Sequence, residues 1–117
     1  MEKNYYPTLE NQIYRAKESL RLILDIIDNK YRIDDDSGEQ FNIHFRSLNE
    51  SIKEIEKAPD DAILGYKDDL LNIKDKLEEY FSDEQFSDIR LNGCDINRIR
   101  KEVEILLENN VFSIVSK

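Results

Sequence analysis

The sequence predicts an all-α protein: an antiparallel bundle of four long helices and one short one, forming a single domain over residues 1–117. Three observations carry this. Apolar residues recur at steps of three and four along most of the chain, the spacing that puts them on one helical face. Only three glycines and two prolines punctuate it, and long periodic runs with few breakers favour helices. Where breaks do occur, helix-start residues follow. Residues 1–7 and 110–117 are expected to be less regular ends.

Pro7 and Thr8 announce the first helix, with Thr8 as N-cap and Glu10 in the first turn. Leu9, Ile13, Ala16, Leu20, Ile23, Leu24, Ile27 and Tyr31 make its apolar stripe. Leu22 and Ile26 fall off that stripe, so the second half of the helix is apolar nearly all round and is either central or part of an interface.

The next stretch, "RIDDDSGEQFNIHF" from 32 to 45, looks like a cation loop or a helix start. An EF-hand loop needs oxygen ligands at positions 1, 3, 5 and 12 and glycine at 6. With Gly38 at position 6, Ile33 and His44 occupy the essential ends; with Asp34 first, Gly38 and Phe45 fall on ligand positions. Neither register holds calcium. Ser37 and Gln40 instead form a capping box, and Phe41, Phe45, Leu48, Ile52 and Ile55 follow at helical spacing. Asp34, Asp35, Asp36 and Glu39 then sit where a helix N-terminus favours negative charge. A hairpin is the rival, because Phe41, Ile43 and Phe45 also alternate. The second helix is expected to run to about Lys57, before Pro59.

A third helix starts with Asp60 and Asp61 and carries Ile63, Tyr66, Leu70, Ile73, Leu77 and Phe81. Gly65 inside it costs about 1 kcal/mol relative to alanine, which six stripe residues can override. Ser82 and Gln85 repeat the capping signature, opening a short fourth helix with Phe86, Ile89 and Leu91 that ends at Asn92-Gly93. Asp95 caps a fifth, with Ile96, Ile99, Val103, Leu106 and Leu107 inward. The tail "NNVFSIVSK" reads equally as a helical turn, a short strand or an extended segment.

Charged residues make up 37% of the chain and apolar ones 39%, which suits a folded acidic protein better than a disordered one. A net charge of −9 disfavours nucleic acid and anionic membranes as partners. With Cys94 alone, no internal disulfide forms. "MEKNYYPTLENQ" has no apolar signal region, and "LRLILDII" is too short and too charged to span a membrane. The expectation is a soluble cytoplasmic protein.

Little in the chain resembles a reaction centre. His44 lies roughly 60° from the centre of its helix's stripe at about 100° per residue, a boundary position, and one histidine builds no zinc site by itself. Cys94 precedes a helix, where a thiol can become reactive. Asp25-x-x-Asp28 and Asp75-x-x-Glu78 resemble the magnesium-binding pairs of helical MazG-type nucleotide pyrophosphohydrolases. However, Asp25 and Asp75 lie about 150° or more from their stripes, towards solvent rather than a cleft. There is no phosphate-cradling glycine loop, nucleophile elbow or CxxC pair. Arg98, Arg100 and Lys101 stand beside Glu102 and Glu104, as on a solvated helix face. No catalytic residue, cofactor or metal is expected.

Charge distribution says more. Residues 60–88 hold ten acids and three lysines, −7 of the total −9. That surface either keeps the protein soluble or meets a basic partner and speeds association. In composition and helical character the chain is similar to bacterial immunity proteins against nucleases, to some antitoxins and to DNA-mimicking phage anti-defence proteins, a resemblance that transfers no residue. It implies a stoichiometric inhibitor of a basic nuclease or nucleic-acid-binding protein. The candidate partner-binding residues are Asp60, Asp61, Tyr66, Asp68, Asp69, Glu78, Glu79, Tyr80, Asp83 and Glu84, with the tyrosines as exposed anchors. Leu22, Ile26 and Ile43 are a candidate apolar interface. They also support a second reading, a structural or adaptor protein that self-associates as a homo-oligomer.

Millimolar calcium is expected to leave the melting temperature and helicity unchanged. A rise of more than a few degrees, reversed by chelator, would contradict the reading of Asp34 to Asp36.

Overall fold

The structure, a computed structural model, describes residues 5–28, 37–81 and 95–116. These residues are all-α: they form six helices and no strand. Four are longer, α1 (Tyr5–Asp28), α2 (Ser37–Glu56), α4 (Lys67–Phe81) and α5 (Ile96–Leu107). Two are short, α3 (Asp60–Leu64) and α6 (Asn110–Val115). No helix among the described residues is long and apolar enough to cross a membrane. Asp34 to Asp36, the expected short helix after Ser82, the Asn92-Gly93 pair and Cys94 lie outside the described residues.

α1 starts at Tyr5, three residues ahead of the expected cap Thr8, and its first turn contains no acid. Pro7 permits this because it stands in the first turn, where a backbone N–H has no intrahelical acceptor to lose. The segment from Ser37 is helical, so the stripe beyond Phe45 prevails over the alternation of Phe41, Ile43 and Phe45. Every member of that stripe, Phe41, Phe45, Leu48, Ile52 and Ile55, is buried.

The third helix is not continuous. The Gly65 N–H is shared between the carbonyls of Asp61 (3.3 Å) and Ala62 (3.1 Å), and the Tyr66 N–H bonds Ile63 at 3.0 Å. These three-residue steps tighten and end α3. α4 begins anew, its Leu70 N–H bonding the Tyr66 carbonyl at 3.0 Å. Gly65 is right-handed, with φ −64°, so glycine is not needed here for an unusual φ. Space is the tighter constraint: a Cβ would lie 3.2 Å from the Ala62 carbonyl oxygen.

Asp95 caps α5 as the sequence indicates, its carboxylate accepting from the Arg98 N–H at 3.2 Å. The tail, expected as a less regular end, is helical over 110–115. Asn109 caps it by accepting from the Val111 N–H at 2.8 Å. Val111, Phe112, Ile114 and Val115 are all buried. Six residues form no stable helix in isolation; packing against α2, α3 and α4 holds this one.

α1 and α2 form the main pair and run antiparallel. Arg15 reaches Ser47 at 3.0 Å and Glu50 at 3.1 Å, while Ser19, one turn on, meets Ser47 at 3.0 Å. α4 joins α1 through Lys17 and Asp69, 3.1 Å apart, and α5 packs on α4. The Phe41 ring lies parallel to Phe45 at 6.3 Å and edge-on to Phe81 at 6.2 Å, tying α2 to the end of α4.

Phe112→Ala is expected to cost about 3–5 kcal/mol in urea denaturation, as for a core aromatic. A loss below about 1 kcal/mol would mean that α6 is not docked.

Candidate functional site

Surface, rather than cleft, dominates what the helices display. On α4 the buried stripe is Leu70, Ile73, Leu77 and Phe81. Asp68, Asp75 and Glu79 lie roughly 150–170° from it at about 100° per residue, and all three are exposed. They make a line of carboxylates down the outer face of α4. Asp60 and Asp61, also exposed, extend the negative surface into the first turn of α3. Of the expected partner-binding acids, Asp60, Asp61, Asp68, Glu78 and Glu79 are exposed. Asp69 is half-buried and paired with Lys17 across the α1–α4 seam. Asp83 and Glu84 lie outside the described residues. Asp75, considered in sequence only as half of a metal pair, belongs to the outward line.

The two tyrosines are not exposed anchors. Tyr66 and Tyr80 are half-buried and pack against the core. Burial pushes the Tyr66 hydroxyl above its ordinary pKa, and the negative charges of Glu10 and Asp69 add to this. Among the described residues, the prominent exposed aromatic is Tyr14 on α1, at 66% exposure.

Leu22 and Ile26 are half-buried, and Ile26 packs against the core. Ile43 is 50% exposed. Rotation at about 100° per residue places Leu22 and Ile26 on the flank of α1 that carries Arg15 and Ser19, so they follow the α1–α2 seam. Ile43 stands on the adjoining edge of α2. Ile105 of α5, at 69%, is more exposed than any of these; the off-stripe test that selected Leu22 would have found it.

The carboxylate pairs face outward. Asp25 is exposed and held by Arg21 at 3.2 Å, and Asp28, Asp75 and Glu78 are exposed. Arg21 also bonds Glu18 at 2.9 Å, which lowers the Glu18 pKa. Among the described residues no cluster of three or more His, Cys, Asp or Glu side chains is disposed to hold a metal ion. His44 takes the half-buried boundary position its rotation indicates.

The described residues form a concavity of about 340 Å³ between α4 and α5 and a larger one. A groove of about 470 Å³ runs between α2 and α5. Phe45 and Ile99 lie along it, with Arg46, Lys53, Arg98 and the exposed Ile105 on its sides. Arg98 bridges its walls by donating to Asn42 at 3.3 Å. Comparison with protein families, curated proteins and solved structures finds no match for this chain.

Because Asp75 and Glu79 are exposed, replacing them with Asn and Gln is expected to leave the melting temperature within about 3 °C of wild type. Leu77→Ala, between them on the buried side, is expected to cost about 2–5 kcal/mol. A large loss from the acid changes would give them a structural role instead.

Proposed function

We propose that this protein is a stoichiometric protein-binding module whose negative α3–α4 surface meets a basic partner, such as a nuclease or another nucleic-acid-binding protein that it inhibits. The observation that carries the reading is the outward line Asp68, Asp75 and Glu79, continued by Asp60 and Asp61. Carboxylates aligned on one face, without compensating cations in line, create a field that accelerates encounter with a positive surface. The scaffold is read as an antiparallel bundle, rigid enough to present that face without rearrangement. The protein acts by occupancy rather than catalysis and needs no cofactor or metal. A cytoplasmic setting fits a chain with one cysteine.

Immunity proteins, antitoxins and anti-defence proteins are the classes whose charge and helical character this one resembles. The second reading, a self-associating structural or adaptor protein, draws on the exposed Ile43 and Ile105 and the half-buried Leu22. Clustered apolar surface on a small protein marks an interaction site. Polar replacement of Leu22 or Ile43 would then break a homo-oligomer visible by sedimentation.

The test is binding kinetics at two salt concentrations, using a basic protein recovered with wild-type bait and comparing wild type with the Asp68→Asn, Asp75→Asn, Glu79→Gln variant. The variant is expected to associate about tenfold more slowly, with dissociation nearly unchanged. An association rate indifferent to both salt and the variant would leave the negative face as a solubility feature.

A further inference from the structure

The groove between α2 and α5 is lined by three cations, Arg46, Lys53 and Arg98, against two acids, Glu50 and Glu102, in a chain whose net charge is −9. Its two acids each face a cation: Glu50 pairs with Arg15 at 3.1 Å, and Glu102 lies 3.3 Å from Arg98 as an ion pair without a hydrogen bond. Arg46 and Lys53 are exposed, and neither has an ion-pair or hydrogen-bond partner among the described residues. They stand seven residues apart on α2, about 10.5 Å along the axis at 1.5 Å per residue. Between α2 and α5 the groove floor is closed by the buried Phe45 and Ile99, and its exposed apolar surface is that of Ile105, at 69%. In a chain of net charge −9, two unpaired cations flanking an exposed isoleucine are a local inversion.

We propose that this groove binds an acidic amphipathic segment of a partner protein. Two carboxylates about two helical turns apart on the segment meet Arg46 and Lys53, and an apolar side chain between them covers Ile105. The volume, about 470 Å³, lies within the range of sites that hold a few side chains rather than a whole domain. Helix-in-groove recognition uses this combination of apolar anchors and flanking charge. Long polyanions are disfavoured, because they would extend beyond the groove over a negative surface. The site lies on a different face from the α4 carboxylates and does not depend on the function proposed for them.

The test uses a fluorescently labelled helical peptide with glutamates at positions 1 and 8 and leucines at 4 and 5. Its controls are the same peptide with glutamines and a short DNA duplex. Fluorescence anisotropy is expected to show saturable binding of the glutamate peptide, weakened at least tenfold by the glutamine peptide and by the Arg46→Gln, Lys53→Gln variant. Ile105→Ser is expected to weaken it as well. Both variants change exposed side chains and are checked for unaltered melting. No saturable binding, binding indifferent to Arg46 and Lys53, or tighter binding of the DNA duplex would each overturn the proposal. So would sedimentation showing a dimer that the same variant dissolves, since the occupant would then be a second copy of the chain.

Discussion

The close approach of α1 and α2 is the constraint on which the rest of the fold depends. It is made by small side chains. Ala16 and Ser51 are fully buried and Ser19 nearly so. Ser19 donates to Ser47 across the seam at 3.0 Å. With no bulk between them, the two longest helices pack along their lengths and turn two complete apolar stripes towards one side. α4, α5 and α6 close over that side. The Ser51 hydroxyl is buried without a hydrogen-bond partner among the described residues, an unfavourable feature of the seam, and a larger residue there would push the helices apart. Arg15 reinforces the outer edge of the seam through Ser47 and Glu50.

Separation of roles follows from this core. Buried Leu, Ile and Phe side chains each contribute about 1.5–3 kcal/mol, whereas the ion pairs here are exposed and contribute little. Stability therefore resides in the stripes, and the outer faces are free to carry charge. The α4 carboxylates and the cations of the α2–α5 groove occupy such faces, on opposite sides of the fold's electrical asymmetry. Six buried apolar residues on α3 and α4 hold the negative surface in place; of its acids, Asp69 also pairs with Lys17 across the α1–α4 seam.

Helical periodicity was legible wherever a stripe faced a single core. Phe41 to Ile55 and Leu70 to Phe81 are buried as their spacing indicates, and Asp95 caps α5 as its position before Ile96 implies. Boundaries were less legible. Pro7 resembles a start signal, yet proline fits any first-turn position, so α1 extends back to Tyr5. Helix propensity does not reveal that α3 ends at Gly65, because its shared hydrogen bonds to Asp61 and Ala62 depend on tertiary placement. The tail could not be assigned because its helix owes its existence to contacts with α2, α3 and α4, not to local pattern. Tyr66 and Tyr80 are half-buried rather than exposed because each packs its side chain against the core, a contact that residue type alone does not reveal. The groove was invisible in sequence, since it joins residues of α2 and α5 more than forty positions apart, as Asn42 and Arg98 show with a separation of 56.

Native-state hydrogen exchange tests the dependence on the α1–α2 seam most directly. If that pair is the frame, amides in the middle of α1 and α2, around Ala16 to Ile23 and Leu48 to Ile52, exchange only through global unfolding and share the highest opening free energy. Amides of α3 and α6 are expected to open at lower free energy, through partial unfolding that leaves the pair intact. Slowest exchange in α4 or α5, with α1 and α2 opening first, would contradict the seam as the foundation of the fold.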